Sequence, residues 1–326
     1  MKLVSTLLFI LIVGCQVQSQ DINRSYLINQ TEVVGIIDSL PPMFSTQTTE
    51  GKRQWKLPFE YIDSVQVDRI TYNSEQLKVN GFVVQPKAAG VYPCIIWNRG
   101  GVKEFGAINL MRAAAMLGKI ANEGYVVIAT QYRGNAGSEG QEEFGGAEIA
   151  DVLNLIEVLG EVPKADTSRI GMFGGSRGGM MTYIALTKTD KIKAAAVLGA
   201  PSDKYASLKD RPSLENSLIE LVEGYAQNKA AGLDKRSPIK WVDQLPKDVP
   251  ILILHGNADW RVKSEQSLRM ALELNKHRVP YRLMIFEGGD HGLSEFRAEF
   301  YSTLTDWFDK YLKENAPLPN MEFHGR

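Results

Sequence analysis

Two hydrophobic periods divide the chain. Between positions 61 and 84 apolar and polar residues alternate, through Val65, Val67 and Ile70 and then again from Leu77 to Val84. Period two predicts strands with one solvated face, and Asn73-Ser74-Glu75 between them predicts the turn of an antiparallel hairpin. From position 92 the pattern changes to short unbroken apolar runs: Pro93 to Trp97, Tyr125 to Thr130, Arg169 to Phe173, Ala194 to Leu198, Val249 to Leu254 and Arg282 to Phe286. Runs without a polar face predict strands covered on both sides. Apolar residues recur at helical spacing in the gaps. The stripes are Ile108, Met111 and Ala115; Ile149, Val152, Ile156 and Leu159; Leu268, Ala271 and Leu272; and Phe296, Phe300, Leu304, Trp307 and Phe308. Strand and helix in alternation predict an α/β fold, a mostly parallel sheet with right-handed crossovers and helices on both faces. Residues 202–246 interrupt the alternation and predict a small helical insertion.

The ends follow other rules. Met1-Lys2 precedes the stretch Leu3 to Val13, apolar except for Ser5 and Thr6. About 20 apolar residues are needed to span a bilayer, so this stretch suits the core of an export signal. Ile12-Val13-Gly14-Cys15 resembles a bacterial lipobox, which implies lipidation at Cys15 after removal of residues 1–14 and a membrane-anchored, exported protein. Gln16 stands where an Asp would signal retention at the inner membrane, so the resemblance implies the outer membrane or a periplasm-facing site. A plain secretory signal cut near Val17-Gln18-Ser19 and an uncleaved anchor are the alternatives. Residues 15–58 are polar, punctuated by Pro41-Pro42, and read as a tether with one helical piece between Val33 and Leu40. The α/β domain is then 59–315 and the tail 316–326.

Composition narrows the function. In 326 residues there are 37 Lys and Arg against 38 Asp and Glu, so no basic excess offers a surface for phosphate backbones, and nucleic acid is not an expected partner. Two cysteines, Cys15 and Cys94, exclude a disulfide framework and a cysteine-rich zinc site. No nucleotide-binding glycine loop and no metal-ligand cluster is visible in the sequence, so no cofactor is implied.

The chemistry centres on Gly174-Gly175-Ser176-Arg177-Gly178, a G-x-S-x-G at the junction of a strand and a helix. That context is a nucleophile elbow, with Ser176 exposed at the strand's carboxyl end and the Arg177 N–H free at a helix N-terminus to bind an oxyanion. Serine needs an imidazole to take its proton. Of four histidines, His324 lies in the tail, His277 on a polar helix, and His255 at a strand end, where it packs or orients the next loop. His291 stands between glycines after the last strand and completes the order serine, acid, histidine. The acid belongs on the loop after the preceding strand, whose single carboxylate is Asp259; Asp290, beside His291, is the rival.

Together Tyr132-Arg133-Gly134, Gly174 to Gly179, Ser237-Pro238-Ile239, His255 to Val262 and Asp290-His291-Gly292 resemble the catalytic domain of the prolyl oligopeptidase family of serine hydrolases. The resemblance covers roughly residues 60–312. It implies an eight-stranded α/β-hydrolase sheet and a Ser–Asp–His triad. The chain departs from it in three places. Too few residues precede the first strand for the propeller that family peptidases carry. Arg177 follows the serine where many members have Tyr or His. Arg99 stands where some peptidases place a tyrosine donor, which assigns the second oxyanion donor to a backbone N–H at Gly100 or Gly101. The expected function is hydrolysis of short peptides through an acyl-enzyme. A carboxylesterase acting on small acyl or glycan-linked esters is the alternative, and a non-catalytic binding protein a third class. Residues 202–246 are expected to cover Ser176, with Leu218 and Tyr225 among the candidates to face the acyl pocket.

Overall fold

The structure is a computed structural model that describes residues 25–325. The export signal and Cys15 therefore lie outside the described residues. Strands are numbered along the chain. They are β1 (Leu27–Glu32), β2 (Ser45–Gln47), β3 (Arg53–Trp55), β4 (Val65–Ser74), β5 (Leu77–Pro86), β6 (Tyr92–Asn98), β7 (Val126–Thr130), β8 (Ala165–Gly175), β9 (Ile192–Leu198), β10 (Ile251–Gly256) and β11 (Tyr281–Phe286). Nine of them form one sheet in the order β1-β4-β5-β7-β6-β8-β9-β10-β11, and β2 pairs with β3 in a separate small hairpin. The first three junctions of the large sheet are antiparallel. Every later one, from β7 to β11, is parallel. This is the α/β-hydrolase arrangement.

The eight predicted strands are all present, and the ninth is a correction to the count. Residues 27–32 pair with β4 in the register Gln30↔Ile70, so part of the expected tether belongs to the sheet. The sequence hides this strand because β1 lies at the edge and packs only Leu27 against the core, leaving four of its six side chains exposed. Backbone pairing alone defines it, and backbone pairing leaves no hydrophobic period to read. The expected helical piece shrinks to Ile36–Ser39.

The two faces of the sheet carry separate cores. On one, Ile96, Ile128, Met172, Val197 and Ile253 meet the helices Ile149–Leu159, Arg177–Leu186 and Glu265–Lys276. On the other, Ile95, Val127, Phe173 and Leu254 meet helical residues such as Leu117, Leu304 and Phe308. Each of these apolar side chains contributes about 1.5–3 kcal/mol by leaving water. One predicted stripe is rotated. On the Glu265–Lys276 helix the buried residues are Met270, Ala271 and Leu274, while Leu268 and Leu272 are 45% and 62% exposed. Ser267 and Gln266 are buried there for polar reasons, so a hydrophobic count chose the wrong face.

Cys94 lies within β6 with no exposure, and burial raises its thiol pKa to about 12. Among the described residues, no helix is long and apolar enough to cross a membrane. The insertion consists of the helices Lys204–Asp210, Leu214–Leu221 and Lys229–Asp234 followed by two 3-10 turns. Leu218 and Tyr225 point into the core under the sheet rather than toward Ser176.

Candidate active site

The parallel strands deliver three side chains to one end of the sheet: Ser176 follows β8, Asp259 follows β10 and His291 follows β11. Crevices outside the carboxyl ends of parallel strands are where such folds bind ligands.

Ser176 has φ 54° and ψ −126°, a conformation that few non-glycine residues adopt. Its N–H donates to the Leu198 carbonyl at 2.7 Å, which fixes the turn between strand and helix. Two neighbours must be glycine for this turn to close. A Cβ on Gly174 would lie 2.1 Å from the Gly178 carbonyl oxygen, and one on Gly178 would lie 2.0 Å from that of Asn98. The Arg177 N–H begins the following helix, where no intrahelical acceptor exists. Gly100 approaches from the loop after β6. A Cβ there would sit 3.2 Å from Ser176 Cβ. Neither the Gly100 nor the Gly101 N–H donates a hydrogen bond among the described residues. Gly100 lines the cavity at Ser176, whereas Gly101, at φ 79°, presses against the Phe105 carbonyl and belongs to the support of the loop.

His291 Nδ1 lies 2.6 Å from Asp259 Oδ2. Asp259 Oδ1 accepts from the N–H groups of Arg261 (2.8 Å) and Val262 (3.0 Å). His255, fully buried, completes the carboxylate's surroundings. Its Nε2 is 2.8 Å from the Val262 carbonyl and 3.2 Å from Asp259 Oδ2, while its Nδ1 is 2.7 Å from Ser267 Oγ. A carbonyl only accepts, so Nε2 holds the His255 proton and the Ser267 hydroxyl donates to Nδ1. Burial works against the Asp259 charge, but hydrogen bonds from His255 and His291 outweigh it and hold the carboxyl well below the ordinary range. Asp290 takes no part in this. Its Oδ1 accepts from the Gly292 and Ser294 N–H groups, both at 2.9 Å, its Oδ2 accepts from the Ser294 hydroxyl, and together they cap the next turn. Ser176 and His291 line one cavity, and no hydrogen bond joins Ser176 Oγ to the ring among the described residues. Such bonds often tighten only when substrate is bound.

Sequence reasoning missed the support of the Ser176 turn. Arg177 is 3% exposed, and its guanidinium pairs with both Glu142 and Glu148. It stacks over the Tyr132 and Phe144 rings, 5.1 and 4.9 Å from their centres, and donates to the Gly101 carbonyl at 3.1 Å. Glu142 also accepts from the Lys103 N–H at 3.0 Å, so one carboxylate and one guanidinium tie the Ser176 turn to the Gly100 loop. The signal was the pair Glu142-Glu143 between glycines, which no catalytic motif flags. Arg99 is tied down as well, to the carbonyls of Gln131 and Lys103, and does not offer a substitute oxyanion donor.

Lys204 is the second surprise. It is 1% exposed, its ammonium lies 4.8 Å from the centre of the Phe144 ring, and it has no side-chain hydrogen bond among the described residues. Burial first, then the charges of Arg177, Arg236 and Arg211, push its pKa down to about 7. Between about 7 and the ordinary 10.5 the unfolded chain holds a proton that the folded one lacks, so stability rises with pH across that window. Lys204→Met is expected to raise the melting temperature at pH 6, with the gain disappearing by pH 10. The free energy involved is on the order of 4 kcal/mol. An equal gain at both pH values would show that the ammonium is not desolvated.

The cavity beside Ser176 measures ≈ 370 Å³ and draws its walls from Trp97, Ile108, Phe173 and Phe300, with Arg112 and Arg297 also on its lining. No residue of the 202–246 insertion lines it, so the expected lid does not form this pocket. The loop and helix after Trp97 take that place.

Known proteins resemble this chain in sequence and in fold. The model of the prolyl oligopeptidase family matches residues 112–315, well over half of the chain. An uncharacterized peptidase, YtmA, of Bacillus subtilis is 28% identical over 268 residues, covering 82% of this chain and 94% of its own length. Dipeptidyl-peptidase 5 of Porphyromonas gingivalis is 26% identical over 249 residues, which is 68% of this chain and 34% of that protein. An acylaminoacyl peptidase solved in complex with Z-Gly-Gly-Phe-chloromethyl ketone superposes with a TM-score of 0.66 at 25% identity, covering 77% of this chain and 42% of that one. The chain thus spans nearly all of the first relative and less than half of the other two.

Proposed function

The chain belongs to the prolyl oligopeptidase family of serine-type peptidases, and on that premise we propose that it hydrolyses short peptides through an acyl-enzyme on Ser176. The observation that supports this reading best is the 2.6 Å contact between His291 Nδ1 and Asp259 Oδ2 in a ring that shares its cavity with Ser176. Asp259 holds the Nδ1–H tautomer and leaves Nε2 free to accept. In the first step Ser176 Oγ attacks the acyl carbon and its proton passes to His291 Nε2. The N–H groups of Arg177 and Gly100 receive the developing oxyanion. The imidazolium then gives its proton to the departing amine as the C–N bond breaks. Water, deprotonated by the same ring, releases the acyl group and restores Ser176.

Purified protein offered aminoacyl anilides and short-chain aryl esters of matched acyl group should turn over both, with fluorophosphonate labelling Ser176. Ester turnover without any anilide or peptide cleavage would replace the peptidase reading with a carboxylesterase. Absence of labelling and of all turnover would leave a binding protein.

We also propose that the protein is exported and held at a membrane by lipid on Cys15. The support is sequence alone, the apolar Leu3 to Val13 run ending in Ile12-Val13-Gly14-Cys15. Detergent partitioning of the native protein, lost in Cys15→Ala, is the expected result. An unmodified mature N-terminus beyond residue 15 in intact mass spectrometry would refute it.

A further inference from the structure

The cavity at Ser176 has an unusual balance of charge. Its walls are aromatic and aliphatic, no carboxylate lines it, and two arginines beyond the fixed Arg99 do. Arg112 spends one N–H on the Ala107 carbonyl at 2.8 Å, which orients its guanidinium and leaves the rest of the fork unused. Arg297 makes no hydrogen bond or ion pair among the described residues, and neither does Arg112 pair with an acid. Lys119 adds a third positive charge nearby, its ammonium 4.7 Å from the centre of the Tyr301 ring that lines the same cavity. The acids within reach are engaged or face elsewhere. Glu142 and Glu148 are consumed by Arg177 and Asp259 by two histidines, while Glu295 is turned toward the Asp290 N–H at 3.1 Å. Glu299 lies two residues from Arg297 on the helix Arg297–Phe308 and so points to another side.

Such a pocket repels an ammonium and favours a carboxylate. Guanidinium forks match carboxylates well. The position relative to the chemistry tells which part of the substrate carries that charge. His291 and Gly292 line the cavity, and His291 is the group that hands a proton to the departing amine. A leaving group seated in the space beside it would lie next to the ring that protonates it. A volume of ≈ 370 Å³ is at the small end for ligand pockets and suits one or two residues.

Resting on the serine-hydrolase reading above, we infer that this cavity is a leaving-group site in which Arg112 and Arg297 hold the free C-terminal carboxylate of a short peptide. The enzyme then releases the last one or two residues of peptides whose carboxyl end is unblocked, and it disfavours the same peptides as amides.

The test uses three substrate pairs with the full-length protein. The first is a set of N-acetylated tripeptides, each as C-terminal acid and as C-terminal amide. The second is 4-acetoxybenzoate with its methyl ester, which places the carboxylate on a departing phenol. The third is the p-nitrophenyl hemiglutarate and p-nitrophenyl valerate pair, which places it on the acyl side. Wild type is expected to favour the acid in the first pair by about tenfold or more in kcat/KM, the scale of charge-assisted hydrogen bonds. In the doubly substituted Arg112→Gln, Arg297→Gln protein the acid-to-amide ratio should fall to within about twofold of unity. The ratio in the second pair should fall with it, since intrinsic reactivity cancels between variant and wild type. Lys191→Gln, an exposed charge just before β9, should keep both ratios. The preference should also shrink as salt rises, because Arg297 is exposed. Ratios that survive in the double variant overturn the inference, as does a loss confined to the third pair. If no peptide is cut but the second pair responds, the peptidase reading fails and the carboxylate site stands.

Discussion

Ser176→Ala should lower kcat by about 10³-fold or more while the protein melts within a few degrees of wild type. The two readouts separate for a structural reason. The strain of φ 54° and the 2.7 Å bond to Leu198 belong to the backbone and persist in alanine. Ser176 Oγ makes no hydrogen bond among the described residues, so its loss leaves no buried partner stranded. What disappears is the hydroxyl proposed as the nucleophile. Turnover of anilides or aryl esters by the pure variant, normalised to protein, measures the effect. A variant that keeps turnover above a hundredth of wild type would mean that another group attacks the substrate. The small residual rate expected of the oxyanion hole sets the floor.

Asp259→Asn should be at least as severe, about 10⁴-fold in kcat, and it should also weaken the fold. Asp259 Oδ2 receives two ring N–H groups, from His291 at 2.6 Å and His255 at 3.2 Å. An amide cannot accept from both rings and from the Arg261 and Val262 N–H groups with one oxygen. Either its NH₂ meets an imidazole N–H, or His291 turns to the tautomer that presents a proton to Ser176. His255 cannot follow, because Val262 and Ser267 fix its own tautomer. The stability change has a pH signature. The folded carboxyl titrates below its unfolded value, so its stabilisation is complete above the ordinary value of about 3.9 and is lost as pH falls through and below that value. In Asp259→Asn that part of the acid-side decline should vanish. Asp290→Asn is the control. It breaks a turn cap and should change kcat less than tenfold. The reverse ranking would assign the acid to Asp290.

The sequence made the site legible because its demands are local. A glycine two residues before and after Ser176, a strand entering and a helix leaving are all within a dozen positions. His291 and Asp259 follow from strand order, since a parallel sheet aligns the ends of β8, β10 and β11 whatever lies between. Asp290 stayed open until geometry showed one of its oxygens on backbone N–H groups and the other on the Ser294 hydroxyl. What stayed hidden around the site is polar residues whose partners are distant in sequence. Arg177 finds Glu142 and Glu148 some 30 residues back, and Lys204 is buried with its ammonium against Phe144, so no local period marks either. Leu218 and Tyr225 were apolar in a polar segment, and apolar residues there serve the core before they serve a pocket.

The edge strand β1 changes the geometry of attachment. Read as a tether up to position 58, the segment after Cys15 would reach on the order of 150 Å when extended. Pairing of Leu27–Glu32 with β4 anchors the chain after about 12 residues, which span at most about 43 Å however they are arranged. A domain of this size is roughly 50 Å across. If Cys15 carries lipid as proposed, the leash is shorter than the body it holds, and the catalytic end sweeps only a thin layer against the bilayer. Its substrates would be short peptides that diffuse into that layer, so the attachment point, more than the pocket, would set how many of them the enzyme meets.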